Sequence, residues 1–192
     1  PGRAVEILKK VGLENAVDRK VGGYSKGMRQ RLNLAQALSN DPTILVLDEP
    51  SSGLDPVGSR ELYGIVDDIR TRKKLTVILS SHILAEIENR IDRVAVMKNG
   101  LLKAVGSLKE LYTSLNLPLK ITLSVNGSGA ALAEVLRTAG AVDVVHETGR
   151  IVADIPRTNK IGILSALMER KEGVKDLSIR EPNLEEVFFG VH

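Results

Sequence analysis

Residues 43–47, TILVL, run straight into two adjacent carboxylates, Asp48 and Glu49. A second run of the same kind, LTVIL at 75–79, runs into Ser80, Ser81 and His82. Near-continuous apolar strands of this length suit a parallel sheet buried on both faces. Between them, Asp55-Pro56 reads as an N-cap with proline in the first helical position, and Leu62, Ile65, Val66 and Ile69 keep the helical period. Strand, helix and strand with short turns predict an α/β fold with a parallel sheet.

The flanking segments extend this pattern. A short helix is expected over 4–11, and Gly22-Gly23 breaks the pattern further on. Ser25 can cap a helix with Met28, Leu32, Ala35 and Leu38 on one face, which Asn40-Asp41-Pro42 ends. Strands at 93–97 and 101–105 flank Asn99-Gly100, a strong hairpin signal. From residue 116 the pattern changes. A strand at 119–125, a helix from Gly127-Ser128-Gly129 to Thr138, strands at 141–146 and 151–155, a helix at 159–171 and a strand at 174–179 come in turn. The order β-α-β-β-α-β is that of a ferredoxin-like split βαβ unit. A last helix over 183–189 offers Leu184, Val187 and Phe188 as its apolar side.

Composition narrows the function. The 192 residues carry a net charge of +3 with both signs interspersed, so the basic excess points only weakly to a polyanionic partner. Two Phe, three Tyr and no Trp argue against stacking on nucleic-acid bases, and no nucleic-acid partner is expected. The absence of cysteine excludes disulfides, thiolate zinc sites and cysteine nucleophiles. No apolar run has the length of a transmembrane helix and no signal peptide is present, so a cytoplasmic location is expected. The chain begins Pro1-Gly2 and its first Met is Met28, which reads as a piece of a longer protein.

In parallel α/β sheets ligands sit beyond the carboxyl ends of the strands. Asp48, Glu49 and His82 stand at two such ends and are expected to face one crevice. Few carboxylates, completed by waters and phosphate oxygens, suit a Mg²⁺ ion. Glu49 can polarise an attacking water, and His82 can donate to a terminal phosphate. Taken singly, an Asp-Glu pair is a helix cap or surface turn and a lone His a satisfied structural one; spacing and the upstream segment favour the functional reading. His146 and His192 lack partners at ligand spacing and read as structural or surface. Arg70, Arg72, Lys73 and Lys74 read as a solvated helix end that opposes the helix dipole.

The upstream segment is YSKGMRQRLNLAQALSNDP. Tyr24-Ser25-Lys26-Gly27-Met28, with Arg29-Gln30-Arg31, resembles the signature motif of ATP-binding cassette (ABC) ATPases. Residues 44–49 are similar to their Walker B strand with its catalytic Glu, 51–55 to the D-loop, and Ser80-Ser81-His82 to the switch histidine. Four motifs in family order span 1 to about 114. The SKGM form and the C-terminal extension resemble ATPase subunits of ABC-2-type exporters. The resemblance implies a partial P-loop NTPase sheet with a helical signature segment over 1–115, and a small α+β accessory domain over 116–192. It implies ATP and Mg as cofactors, with Asp48 holding Mg²⁺ through water, Glu49 as general base or water-positioner and His82 on the γ-phosphate. Ser25 and Gly27 would touch the γ-phosphate of ATP held by the opposite subunit, where a helix N-terminus presents free N–H groups and Gly27 permits close backbone approach. Ser25, Lys26, Gly27, Met28 and Asp55 thus form the implied nucleotide-contacting set, with Asp55 coupling the halves of a dimer. The implied partners are a second ATPase subunit and a transmembrane permease, on the inner face of the membrane.

Two departures qualify the resemblance. Lys26 and Met28 replace the Gly and Gln of the commonest signature; Lys26 adds a phosphate contact or stands as a solvated charge, and the second reading is preferred. No G-x-x-x-x-G-K-[ST] occurs, and its nearest lookalike, Gly22 to Gly27, lacks the Lys and hydroxyl. In the family that phosphate loop, the Q-loop Gln and the adenine-stacking aromatic lie N-terminal to the signature. The chain alone is therefore an incomplete site, expected to bind Mg-ATP weakly or not at all. The alternatives are a non-catalytic signature and regulatory module, or a soluble, non-transport ABC ATPase.

Overall fold

A computed structural model describes residues 2–170 and 173–190. Two compact units divide after Arg90. The first holds α1 (Gly2–Lys10), α2 (Lys26–Ala37), β1 (Ile44–Leu47), α3 (Pro56–Lys73), β2 (Thr76–Leu79) and α4 (Leu84–Ile87). Local chemistry sets these ends. The Ser25 hydroxyl accepts the Met28 amide at 3.2 Å to start α2, and Asp55 accepts the Gly58 amide at 2.9 Å to start α3 beside Pro56. Lys74 closes α3 in the left-handed conformation, and Arg70, Arg72 and Lys73 in its last turn oppose the helix dipole. Lys73 also bonds Asp41 at 2.5 Å, so that helix end is more than a solvated face.

Strands β1 and β2 pair in parallel, Ile44 with Thr76 through Leu47 with Leu79. Leu45 turns into a core shared with Leu34, Ala35 and Leu38 of α2 and Leu62, Val66 and Ile69 of α3. The expected burial on both faces is not observed. Ile44, Val46 and Ile78 are 55, 68 and 55% exposed, because the apolar cluster of this unit gathers on one face only.

The second unit opens with a hairpin of β3 (Val94–Lys98) and β4 (Leu101–Gly106), turning at Asn99-Gly100, both with positive φ. Helix α5 (Leu108–Ser114) starts from a capping box: Ser107 and Glu110 each accept the other's backbone amide. Strands β5 (Leu119–Val125), β6 (Val142–Glu147), β7 (Arg150–Ile155) and β8 (Val174–Arg180) form an antiparallel sheet in the order β6-β7-β5-β8. This is the split βαβ topology expected from the element order, not a meander. Leu132, Ala133 and Leu136 of α6 (Ala130–Thr138) and Ile163 and Leu167 of α7 (Lys160–Glu169) pack with Ile121, Leu123, Ile151, Ala153 and Ile155. The expected end of α7, Lys171, lies outside the described residues, as does His192. His146 hydrogen-bonds the Ser128 carbonyl, a structural role. On α8 (Leu184–Gly190), Leu184 and Val187 are buried, but Phe188 is 46% exposed. It meets Phe189 edge-on at 5.7 Å instead of joining the core, which corrects the apolar side expected for this helix.

Candidate functional site

Parallel, in-register pairing brings the carboxyl ends of β1 and β2 side by side, with the Ser80 amide donating to the Leu47 carbonyl at 2.9 Å. The residues just beyond each strand therefore meet. The Ser80 hydroxyl donates to Asp48 Oδ1 at 2.6 Å and accepts the Glu49 amide at 2.9 Å. Glu49 Oε2 lies 2.5 Å from His82 Nδ1. With Glu49 ionised, Nδ1 carries the hydrogen and donates, which leaves Nε2 of the exposed ring for a ligand. Asp48, Glu49 and His82, expected to share a crevice, thus form one connected cluster.

Glu49 stands at φ +46, a left-handed conformation uncommon outside glycine. The turn after it is held by the Ser52 amide on the Glu49 carbonyl and by a buried bond, 3.1 Å, between the Ser51 and Tyr63 hydroxyls. Two adjacent carboxylates consequently leave β1 in different directions, one to Ser80 and one to His82. Ser80 is a member of the site that the motifs alone do not single out. Its signal is a hydroxyl directly after a strand whose parallel neighbour ends in acids.

The signature residues form a second group. Ser25 is the α2 cap, and its hydroxyl accepts a backbone amide. Gly27 faces the Leu54 side chain, and Lys26 lays its ammonium against Gly53, the left-handed residue of the turn before α3. Lys26 is exposed, in keeping with the preferred reading of a solvated charge, and its ammonium lies over the backbone at Gly53. Met28 packs against the core of the first unit, which supports the helix start from inside. Asp55 is engaged as the α3 cap. Among the described residues, no hydrogen bond ties this group to the acid cluster.

Among the described residues, no three His, Asp or Glu side chains gather closely enough to hold a metal ion unaided. Asp48 remains a suitable single ligand for a hard divalent cation. Its carboxylate is exposed and spends one oxygen on Ser80, so the other is available to water or metal. The oxygen donor set fits Mg²⁺ with phosphate and water completing the shell.

Strands that deliver acids, a hydroxyl and an imidazole to one edge of a parallel α/β sheet make one polar cluster at their carboxyl ends. The chain is similar to ATP-binding cassette proteins: the family profile described as "ABC transporter" matches residues 2–52. It is 32% identical to the bacitracin transport ATP-binding protein BcrA of Bacillus licheniformis, over 95% of this chain and 60% of that protein. It is 34% identical to the daunorubicin resistance ATP-binding protein DrrA3 of Streptomyces coeruleorubidus, over 97% of this chain and 59% of that one. The ADP conformation of MJ1267, an ATP-binding cassette of an ABC transporter, matches 57% of this chain and 42% of its own at a TM-score of 0.53 and 30% identity. The structure of cbiO1 from Clostridium perfringens matches 58% and 45% at 0.54 and 31%. The chain spans between 34 and 62% of the length of such curated relatives.

Proposed function

We propose that this chain is the C-terminal part of the ATP-binding subunit of an exporter-type ABC transporter, in which ATP binding and hydrolysis at a dimer interface drive export. The observation that carries this reading is the Asp48–Ser80–Glu49–His82 cluster, in which each group has a separate task and a fixed direction. Glu49, oriented by His82, accepts the proton of the attacking water or positions it. His82 presents Nε2 to the γ-phosphate and donates to it when both ring nitrogens carry hydrogen, Nδ1–H being spent on Glu49, and Ser80 keeps Asp48 in place. Asp48 would hold Mg²⁺ through water; the ion supplies charge neutralisation to the phosphates when bound. Ser25, Lys26, Gly27 and Met28 form the surface presented to ATP on the opposite subunit, with Asp55 beside it. Relatives named for antibiotic transport and resistance support export as the direction. A permease subunit at the inner face of the membrane is the partner, and residues 116–192 act as an accessory domain to an ATPase portion over 1–115.

The test is Glu49→Gln in the full-length protein. ATP binding, measured by calorimetry, is retained while turnover falls about a hundredfold or more, the usual effect of losing a positioned base. Near-normal hydrolysis by that variant removes Glu49 from the role.

A further inference from the structure

Glu49 leaves β1 in a conformation that its own sequence disfavours. Its φ of +46 lies in the left-handed region, and the following Pro50 pushes the residue before it toward extended backbone. Such a conformation persists only where its surroundings over-determine it. Two overlapping turns supply part of the restraint, with the Ser52 amide on the Glu49 carbonyl and the Leu54 amide on the Ser51 carbonyl, both at 3.0 Å. The side-chain restraints differ in kind. The bond between His82 and the Glu49 carboxylate joins side chains that are 65 and 38% exposed, so water competes for it. The bond between the Ser51 and Tyr63 hydroxyls, 3.1 Å, joins residues that are each 2% exposed, where bulk water does not replace a lost partner.

Tyr63 is itself held in place. It stands on α3, and the Arg90 guanidinium lies over its ring at 5.6 Å while pairing with Asp67, one turn further along the same helix. Only Pro50 separates Ser51 from Glu49, and its ring fixes φ, so an anchor on Ser51 leaves little freedom at Glu49. We propose that Tyr63 is a positioning residue for ATP hydrolysis: from α3, its hydroxyl fixes Ser51 and thereby the direction in which Glu49 meets the attacking water. This role rests on the one proposed above for Glu49. Tyr63 is buried and takes no part in nucleotide contact, so its loss acts on turnover and not on binding.

In the full-length protein, Tyr63→Phe, Ser51→Ala and the double variant test this, with urea unfolding measured beside kcat and KM for ATP. Each single variant strands one buried hydroxyl and loses stability; the double variant leaves no orphan and should regain most of it. Turnover should not follow. In all three, kcat should fall about tenfold or more with KM unchanged, the scale of a modestly misplaced catalytic group. In a Glu49→Gln background, Tyr63→Phe should not lower the residual kcat further, because the group it directs is already gone. With Glu49→Gln inactive, a near-normal kcat in the double variant, or a further fall in the Glu49→Gln background, would overturn the role of Tyr63 alone. Near-normal hydrolysis by Glu49→Gln would instead remove the base, and the role of Tyr63 with it. Should a single variant fail to fold, the double variant decides.

Discussion

The turn at Gly53 illustrates how one residue can be constrained twice. Gly53 sits at φ +68, and a Cβ added there would stand 1.8 Å from Lys26 Nζ. The two constraints differ in weight. A lysine ammonium at the end of four methylenes moves aside cheaply, whereas a left-handed backbone costs an L-residue about 1–2 kcal/mol wherever its neighbours go. Gly53→Ala should therefore destabilise the first unit by about 1–2 kcal/mol in urea unfolding. The same loss should persist in a Lys26→Ala background; recovery there would assign the cost to the contact instead. At this scale much of the site is legible in the sequence. Asp48, Glu49 and His82 stand after strands that their own composition reveals. Ser80 is not, because a serine at a strand end is commonplace and its two bonds exist only through the register of β1 on β2.

Among elements, the second unit shows both what periodicity reveals and what it hides. Strand β5, 119–125, matches its apolar alternation residue for residue, since both of its neighbours and both helices use the inward set. Helix α8 is different. Seven residues give too few turns for the pattern to distinguish core from rim, so Phe188 falls on the inward side of the pattern and yet stands outward. Beside the buried Leu184 and Val187, polar bonds also restrain α8. Glu186 takes both terminal nitrogens of Arg180 at 2.8 and 3.0 Å and the Asn183 amide at 2.7 Å. Chiefly the Arg180 hydrogen bonds, and then the Asn183 amide, hold its carboxyl below the ordinary value of 4.5 against the opposing effect of burial. A carboxyl depressed in the folded state binds its proton more readily when unfolded, so its contribution is present above about pH 4.5 and lost as pH falls through the folded value. Glu110 in the α5 capping box shifts the same way. Stability of the second unit should therefore decline on acidification below about pH 5. Glu186→Gln should make that decline shallower in thermal melts collected across pH; an unchanged slope would exclude Glu186 as a contributor.

For the whole molecule, the sheet of the first unit matters most. Composition and periodicity identify β1 and β2 and their parallel sense, but not the exposure of Ile44, Val46 and Ile78, because burial depends on what lies opposite a strand and not on the strand itself. An open apolar face beside unpaired backbone is a ready surface for association. The isolated chain is expected to self-associate in sedimentation experiments as concentration rises, and Val46→Lys to shift it toward monomer. A chain that stays monomeric at every concentration would show that this face does not drive association.

Ser80 joins two acids from which it is separated in sequence by the whole of α3, so no short peptide holds them in this arrangement. Chain closure over that helix must come first, and the ordering cost of so non-local a contact is met only when β2 docks beside β1. The cluster thus exists only where β2 is docked beside β1. Any event that lifts β2 from its neighbour dissolves the arrangement at once, leaving two ordinary surface acids and an imidazole with nothing to aim at.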